Sequence, residues 1–257
     1  MNPPEPAKRR VGLYFVLILA VILTPLFFAF WIGRHSGGAG DDFTRLMNVG
    51  KGHYEKGDAA KAIDSFEKAV ALQPTHPDAL LNLANAYLLA GQSESAIAKA
   101  QAVLSMNNNE PAAHYLAGCA NLRLKKFDEA IKALQQAKDL DRKVNAVSFQ
   151  LGRAHLEAGH FQDAADQFAE ILRFEPEYPA ANFYLGQSLV RLGRQEEAKQ
   201  AFDRHQQLLA GKPNPPVDAS TYERCVYTQA RVPFQLEQPA HNGIKVTFSD
   251  ATTSAFG

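Results

Sequence analysis

The sequence predicts an all-α protein, an α-solenoid of stacked helix-turn-helix repeats preceded by one transmembrane helix. Three observations carry that expectation. A small residue recurs every 34 positions, at Gly50, Ala84, Gly118, Gly152 and Gly186. An alanine follows each by twelve positions, at Ala62, Ala96, Ala130, Ala164 and Ala198. Near the start, Val11–Ile32 is a run of 22 residues without a charge. A fixed period of this size marks units that cannot bury an apolar face alone and therefore stack on their neighbours.

The register covers residues 43–212 without a gap, as five units: 43–76, 77–110, 111–144, 145–178 and 179–212. Within each, apolar residues return at three- and four-residue spacing, the pattern of two amphipathic helices. The small residue lets the two helices approach where they cross, and the alanine twelve positions on supplies the other half of that contact. Gly57, Gly91, Gly159 and Gly193 stand where a first helix ends and the chain needs a positive φ. The third unit has Lys125 there, which predicts a less favourable turn. The large residue of the second helix is Phe66, Leu134, Phe168 and Phe202, but Ala100 in the second unit, which predicts that unit to be the most weakly packed. Pro77, Pro111 and Pro179 open units, a position suited to the first helical turn.

This pattern resembles the tetratricopeptide repeat family, whose apolar residue before the small one is here Val49, Leu83, Ala117, Leu151 and Leu185. The resemblance implies a right-handed superhelix that binds protein or peptide partners on its concave face, lined by the first helix of each pair. The family's groove positions correspond to Met47, Lys51 and Tyr54 in the first unit and to Leu81, Asn85 and Leu88 in the second. The third contributes Tyr115, Cys119 and Leu122, the fourth Phe149, Arg153 and Leu156, and the fifth Phe183, Gln187 and Val190. Leu81, Tyr115, Phe149 and Phe183 would form an apolar row along the groove, beside a polar row of Lys51, Asn85, Cys119, Arg153 and Gln187. Packing between units is the alternative role for those aromatics. Family members that bind chaperone C-terminal carboxylates use a Lys/Asn/Asn/Lys/Arg clamp. Here Met47 stands at the first clamp position, Ala112 and Leu116 replace the basic pair, and only Asn82 matches, so that partner class is not expected.

Lysine plus arginine equals aspartate plus glutamate at 27 each, which argues against a nucleic-acid partner attracted by an overall field. The two cysteines, Cys119 and Cys225, form no C-x-x-C or haem-attachment spacing and leave a single disulfide or two free thiols open. No enzyme motif occurs, and no cofactor or metal site is expected. His53 and His155 fall where the family places core-facing residues, and His114 and His160 lack a partner at metal-ligand spacing.

Residues 1–10 carry Lys8-Arg9-Arg10 ahead of the apolar run 11–32. A helix of that run is about 33 Å long, enough to cross a hydrocarbon core of about 30 Å. The basic residues before it predict a single-pass anchor in a bacterial inner membrane, with the N-terminus inside and the repeats in the periplasm. A cleaved signal peptide is the rival, opposed by the length of the run and its ending in Phe28-Ala29-Phe30-Trp31. Residues 33–42 read as a glycine-rich flexible linker. In 213–257, Asp218–Ala230 is expected to form a short helix covering the last unit through Tyr222, Cys225 and Val226, followed by an extended tail. Ile244–Phe248 alternates like a strand, and Val246, Phe248, Asp250 and Thr252 weakly resemble the entry of an FG-GAP/VCBS-type propeller domain. The function expected is a membrane-anchored scaffold for protein–protein interaction. The alternative is the N-terminal accessory part of a larger repeat-plus-propeller protein.

Overall fold

The computed structural model describes residues 40–210 and 223–232. The apolar run 11–32, most of the 33–42 linker and the strand- and propeller-like stretch of the tail lie outside these residues. Ten α-helices are described: α1 over 40–55, α2 Ala59–Leu72, α3 Pro77–Leu89, α4 Ser93–Met106, α5 Pro111–Arg123, α6 Phe127–Leu140, α7 Asn145–Ala158, α8 Phe161–Phe174, α9 Pro179–Arg191 and α10 Gln195–Leu209. No strand occurs among the described residues, and none of their helices is long and apolar enough to cross a membrane. Residues 40–42, expected in the linker, are helical. Asp41 and Asp42 place negative charge at the positive end of the helix dipole, and Arg45 donates to Asp42 Oδ1 at 2.9 Å one turn on.

The period fixes the helix starts. Proline occupies the first turn of α3, α5 and α9, where its missing N–H has no helical acceptor to lose. Each first helix ends in a one-residue left-handed turn, taken by glycine in four units, such as Gly159 at φ 84°, and by Lys125 at φ 59° in the third. A lysine there brings its Cβ against the following carbonyl, so the expected unfavourable turn is present and the backbone adopts it nonetheless.

From α2 to α10 successive helices pack on each other, and α3 also touches α5, α5 touches α7, and α7 touches α9. The first helices therefore form one continuous face. Inside each pair the small residue meets the large one. A methyl placed on Gly50 would lie 2.5 Å from the Phe66 ring, on Gly118 2.5 Å from Leu134 Cγ, and on Gly186 2.7 Å from the Phe202 ring.

The second unit pairs two small residues at its helix crossing. Ala84 stands where the other units have glycine, opposite Ala100 in place of the large residue, and both are fully buried. The extra methyl on one helix accompanies the smaller side chain on the other, so the two departures offset each other in volume. Two apolar clusters result. One runs from Phe43 through α7 and includes Tyr227 and Ala230 of the C-terminal segment. The other joins Phe149, Phe168, Ile171 and Ala181.

Candidate functional site

The concave face of the first three units is occupied by the chain itself. Residues 223–232 run across α1, α3 and α5 with little secondary structure of their own, beyond a single 3-10 turn over Val226–Thr228. That turn is closed locally: the Thr228 N–H donates to the Cys225 carbonyl at 3.1 Å, and the Cys225 N–H to the Thr228 hydroxyl at 2.9 Å. The remaining backbone groups of such a segment need partners from elsewhere when buried, and the groove supplies them.

Asn82 faces Arg231 with both halves of its amide, Nδ2 donating to the Arg231 carbonyl at 2.5 Å and Oδ1 accepting the Arg231 N–H at 2.8 Å. One turn along α3, Asn85 Nδ2 donates to the Tyr227 carbonyl at 3.1 Å. The Tyr115 hydroxyl of α5 donates to the Glu223 carbonyl at 2.9 Å, and Lys51 Nζ of α1 lies 3.5 Å from the Ala230 carbonyl. Backbone contacts of this kind hold an extended chain without reading its sequence.

Three side chains of the segment find specific partners at four-residue spacing. Glu223 takes a two-pronged ion pair from Arg123, Nε to Oε1 at 3.0 Å and Nη2 to Oε2 at 2.6 Å. The same guanidinium also donates to the Leu88 carbonyl. Tyr227 stacks obliquely on Tyr115 with ring centres 5.6 Å apart, and its hydroxyl donates to Asp141 Oδ2 at 2.8 Å. Arg231 donates to Asp78 at 3.3 Å and to Glu110 at 3.0 Å. Paired carboxylates opposite Arg231 and a guanidinium opposite Glu223 give the groove opposite charge at its two ends.

The titrating groups follow this geometry. The Tyr227 hydroxyl holds the Asp141 carboxyl below its ordinary value, helped by the Lys143 N–H. Burial, then the bond to Asp141, pushes the Tyr227 phenol far up. Tyr54 rises to about 12 through burial. The Cys119 thiol is pushed well up by burial and then by nearby Glu223. For Arg231 burial opposes the charge, and Glu110 with Asp78 outweighs it, leaving the guanidinium above its ordinary value. Cys119 and Cys225 are free thiols.

The expected groove residues divide sharply. Met47, Leu81, Asn85, Leu88, Tyr115, Cys119 and Leu122 are buried. Of the half-buried residues, Lys51 and Tyr54 line, with Arg123, Glu223 and Cys225, a cavity of about 470 Å³ left between segment and array. The expected apolar row divides between its two alternative roles. Leu81 and Tyr115 are buried in the cluster that takes in Tyr227, and Phe149 lies within the second cluster, with ring centres 5.6 Å from Phe168 and 5.4 Å from Tyr184. Packing between units is the role that Phe149 plays. Phe183 is half-buried against Phe202 and His205. Arg153, with a bond to Gln150, Leu156 and Gln187 are half-buried, and Val190 is exposed. The expected cap is corrected where it is described. Cys225 packs against the cluster of the first units and not the last one, because Glu223 and Arg231 are drawn to partners there. Residues 218–222, Tyr222 among them, lie outside the described residues.

Sequence reading missed Asp78, Glu110, Arg123 and Asp141 as site residues. Asn82 carried a signal: an asparagine fully buried inside a helix loses the local backbone bonds it favours and implies a specific partner.

Among the described residues, His155, His160 and Asp163 bring ligand-type atoms within 4.8 Å of one another. The two Nδ1 atoms are 3.4 Å apart, a distance at which one imidazole donates to the other. His53 and Asp58 occupy the equivalent positions of the first unit, 3.9 Å apart. This turn therefore brings polar side chains together by its geometry alone, and His160 and Asp163 are exposed to water.

A helix-pair solenoid carrying an extended segment across its inner face is a repeat architecture of the kind that scaffolds protein–protein interaction. Residues 55–137 match the family described as anaphase-promoting complex, cyclosome, subunit 3, and residues 149–213 match the tetratricopeptide repeat. The chain belongs to the tetratricopeptide repeat family. Among solved structures, a crystal structure of MamA protein is 23% identical, with a TM-score of 0.60 over 70% of this chain and 98% of that one. MamA residues 41-end from Desulfovibrio magneticus RS-1 are 18% identical, with a TM-score of 0.63 over 68% and 98%. Likeness at this identity concerns the fold. No curated protein sequence matches the chain.

Proposed function

We propose that this chain is a membrane-anchored scaffold that presents its repeats outside the cytoplasm and holds a protein partner as an extended segment in the concave groove. The observation that carries the reading is the segment 223–232 itself. Four side chains from three first helices address its backbone, through Lys51, Asn82, Asn85 and Tyr115. Such a groove takes a peptide by main-chain bonds and selects it by side-chain subsites.

The anchor rests on the sequence of residues 8–32, where three basic residues precede a charge-free run long enough to span a bilayer. Tethering raises the local concentration of the array near a membrane-bound partner, which strengthens capture without a new contact. The reading assigns the chain no catalytic step.

Photo-crosslinking residues placed at Lys51 and Gln187, with Lys132 on a second helix as control, test the groove in cells. The expected result is one common adduct from the two groove positions and none from Lys132. Equal adducts from both faces would refute a groove-based scaffold. Labelling a cysteine at position 132 in intact cells with a membrane-impermeant maleimide, with Cys119 and Cys225 replaced by serine, tests the orientation.

A further inference from the structure

We infer that residues 223–232 are a resident pseudo-ligand, and that the groove of the first three units takes a partner segment of the same chemistry, acid–x3–tyrosine–x3–arginine, by exchange. This rests on the scaffold reading above and names the ligand class of its groove.

The pattern is read from the subsites. Glu223, Tyr227 and Arg231 stand four apart and are the three side chains of the segment with charged partners on the array. An acid fits the Arg123 end, where the guanidinium is fixed by a second bond to the Leu88 carbonyl. An aromatic with a hydroxyl fits the middle, between the Tyr115 ring and the Asp141 carboxylate. A cation fits the Asp78–Glu110 end. Between these positions Arg224 and Gln229 are exposed, and Val226 is 55% exposed, so these three are free to vary, whereas Ala230 is buried and Thr228 closes the turn with Cys225. The opposite charges at the two ends also fix the direction in which a segment lies.

Two features favour exchange over a permanent strap. Asn85 is 2% exposed, and its Oδ1 is buried without a hydrogen-bond partner while Nδ2 serves the Tyr227 carbonyl. The resident segment therefore leaves one buried acceptor unused, at a cost that a competing segment supplying an N–H there would remove. The cavity beside Glu223 and Cys225, lined by Lys51, Tyr54, Glu55 and Arg123, offers room for the larger side chains of a competitor at positions that the resident segment fills incompletely.

The test uses the full chain in detergent and a fluorescein-labelled peptide of residues 221–233 with Cys225→Ser. The unaltered chain is expected to bind the peptide weakly, because its own segment competes at high local concentration. The chain carrying Tyr227→Ala and Arg231→Ala should bind it at least about ten-fold more tightly, and adding Asn82→Ala should remove most of that gain. A peptide lacking the glutamate, tyrosine and arginine should not bind. Failure of the double variant to bind while its helical melting is unchanged would overturn the inference, and the crosslinking result at Gln187 would separately decide the scaffold reading. If the double variant does not fold, hydrogen exchange on the unaltered chain decides. The Arg231 amide is expected to exchange at least about ten-fold faster than amides inside α5, and equal rates would show a fixed strap.

Discussion

Asn82 grips Arg231 by both of its backbone groups, at 2.5 Å and 2.8 Å, although 149 residues separate the two. An amide placed this way satisfies the backbone donor and acceptor of the same residue at once, which fixes the register of the segment on α3. Asn82→Ala leaves both groups of Arg231 without partners unless the segment lifts into water. Leaving buried polar groups unpaired costs about 1–3 kcal/mol each, so the expected outcome is undocking with the repeat array intact. In a chain carrying Cys225→Ser, the buried thiol of Cys119 reports the change. Its reaction with a maleimide should quicken by about ten-fold or more in Asn82→Ala, while the far-ultraviolet spectrum stays unchanged.

The Tyr227–Asp141 pair gives docking a pH dependence of definite sign. The Asp141 carboxyl is held below its ordinary 3.8, first by the Tyr227 hydroxyl and then by the Lys143 N–H. A depressed carboxyl contributes stability that is fully present above the ordinary value and is lost as pH falls through the lower, folded one. Docking should therefore hold steady from neutral pH down to about 5 and weaken below about 4. Tyr227→Phe should flatten this acid limb, measured as Cys119 protection against pH. Asp78, Glu110 and Glu223 are common to both chains, so the difference between them isolates the pair.

How far the sequence reveals this molecule depends on which contacts repeat. The helix pairs are legible because each close crossing recurs every 34 residues, so Gly50 explains Gly118 and Gly186 at once. The groove is legible as a set of positions, and Asn85, Lys51 and Tyr115 all address the segment. Its occupant is not legible, because Glu223, Tyr227 and Arg231 meet partners about 90 to 150 residues away that belong to no period. Arg123, Asp78 and Glu110 look like solvated charges at helix ends until the segment is in place. Phe149 took its alternative role for another reason: a register position shows which helix face a residue occupies, but not what its neighbours leave room for.

Lys125 offers a stabilising change. Its left-handed φ of 59° costs a side-chain-bearing residue about 1–2 kcal/mol, and glycine returns part of that through greater freedom in the unfolded chain. Lys125→Gly should stabilise by about 0.5–1 kcal/mol, read as a rise of a few degrees in Tm. The lysine is exposed, so no packing is lost.

The compensated pair in the second unit is open to a double-mutant cycle. Ala100→Phe alone places a ring against the Ala84 methyl, whereas Phe66 lies against Gly50, where a methyl would sit only 2.5 Å from the ring. Overpacking of this kind costs about 1–3 kcal/mol. Ala84→Gly alone opens a small gap and adds backbone freedom to the unfolded chain in mid-helix, costing about 1 kcal/mol. Together the two changes rebuild the arrangement of the first unit, so the double variant should be more stable than the sum of the single effects by about 1–2 kcal/mol. Denaturant melts of the four chains measure this coupling directly. Additive effects would show that the α3–α4 crossing does not depend on the match between these two residues, and that the compensation read from Ala84 and Ala100 has no energetic content.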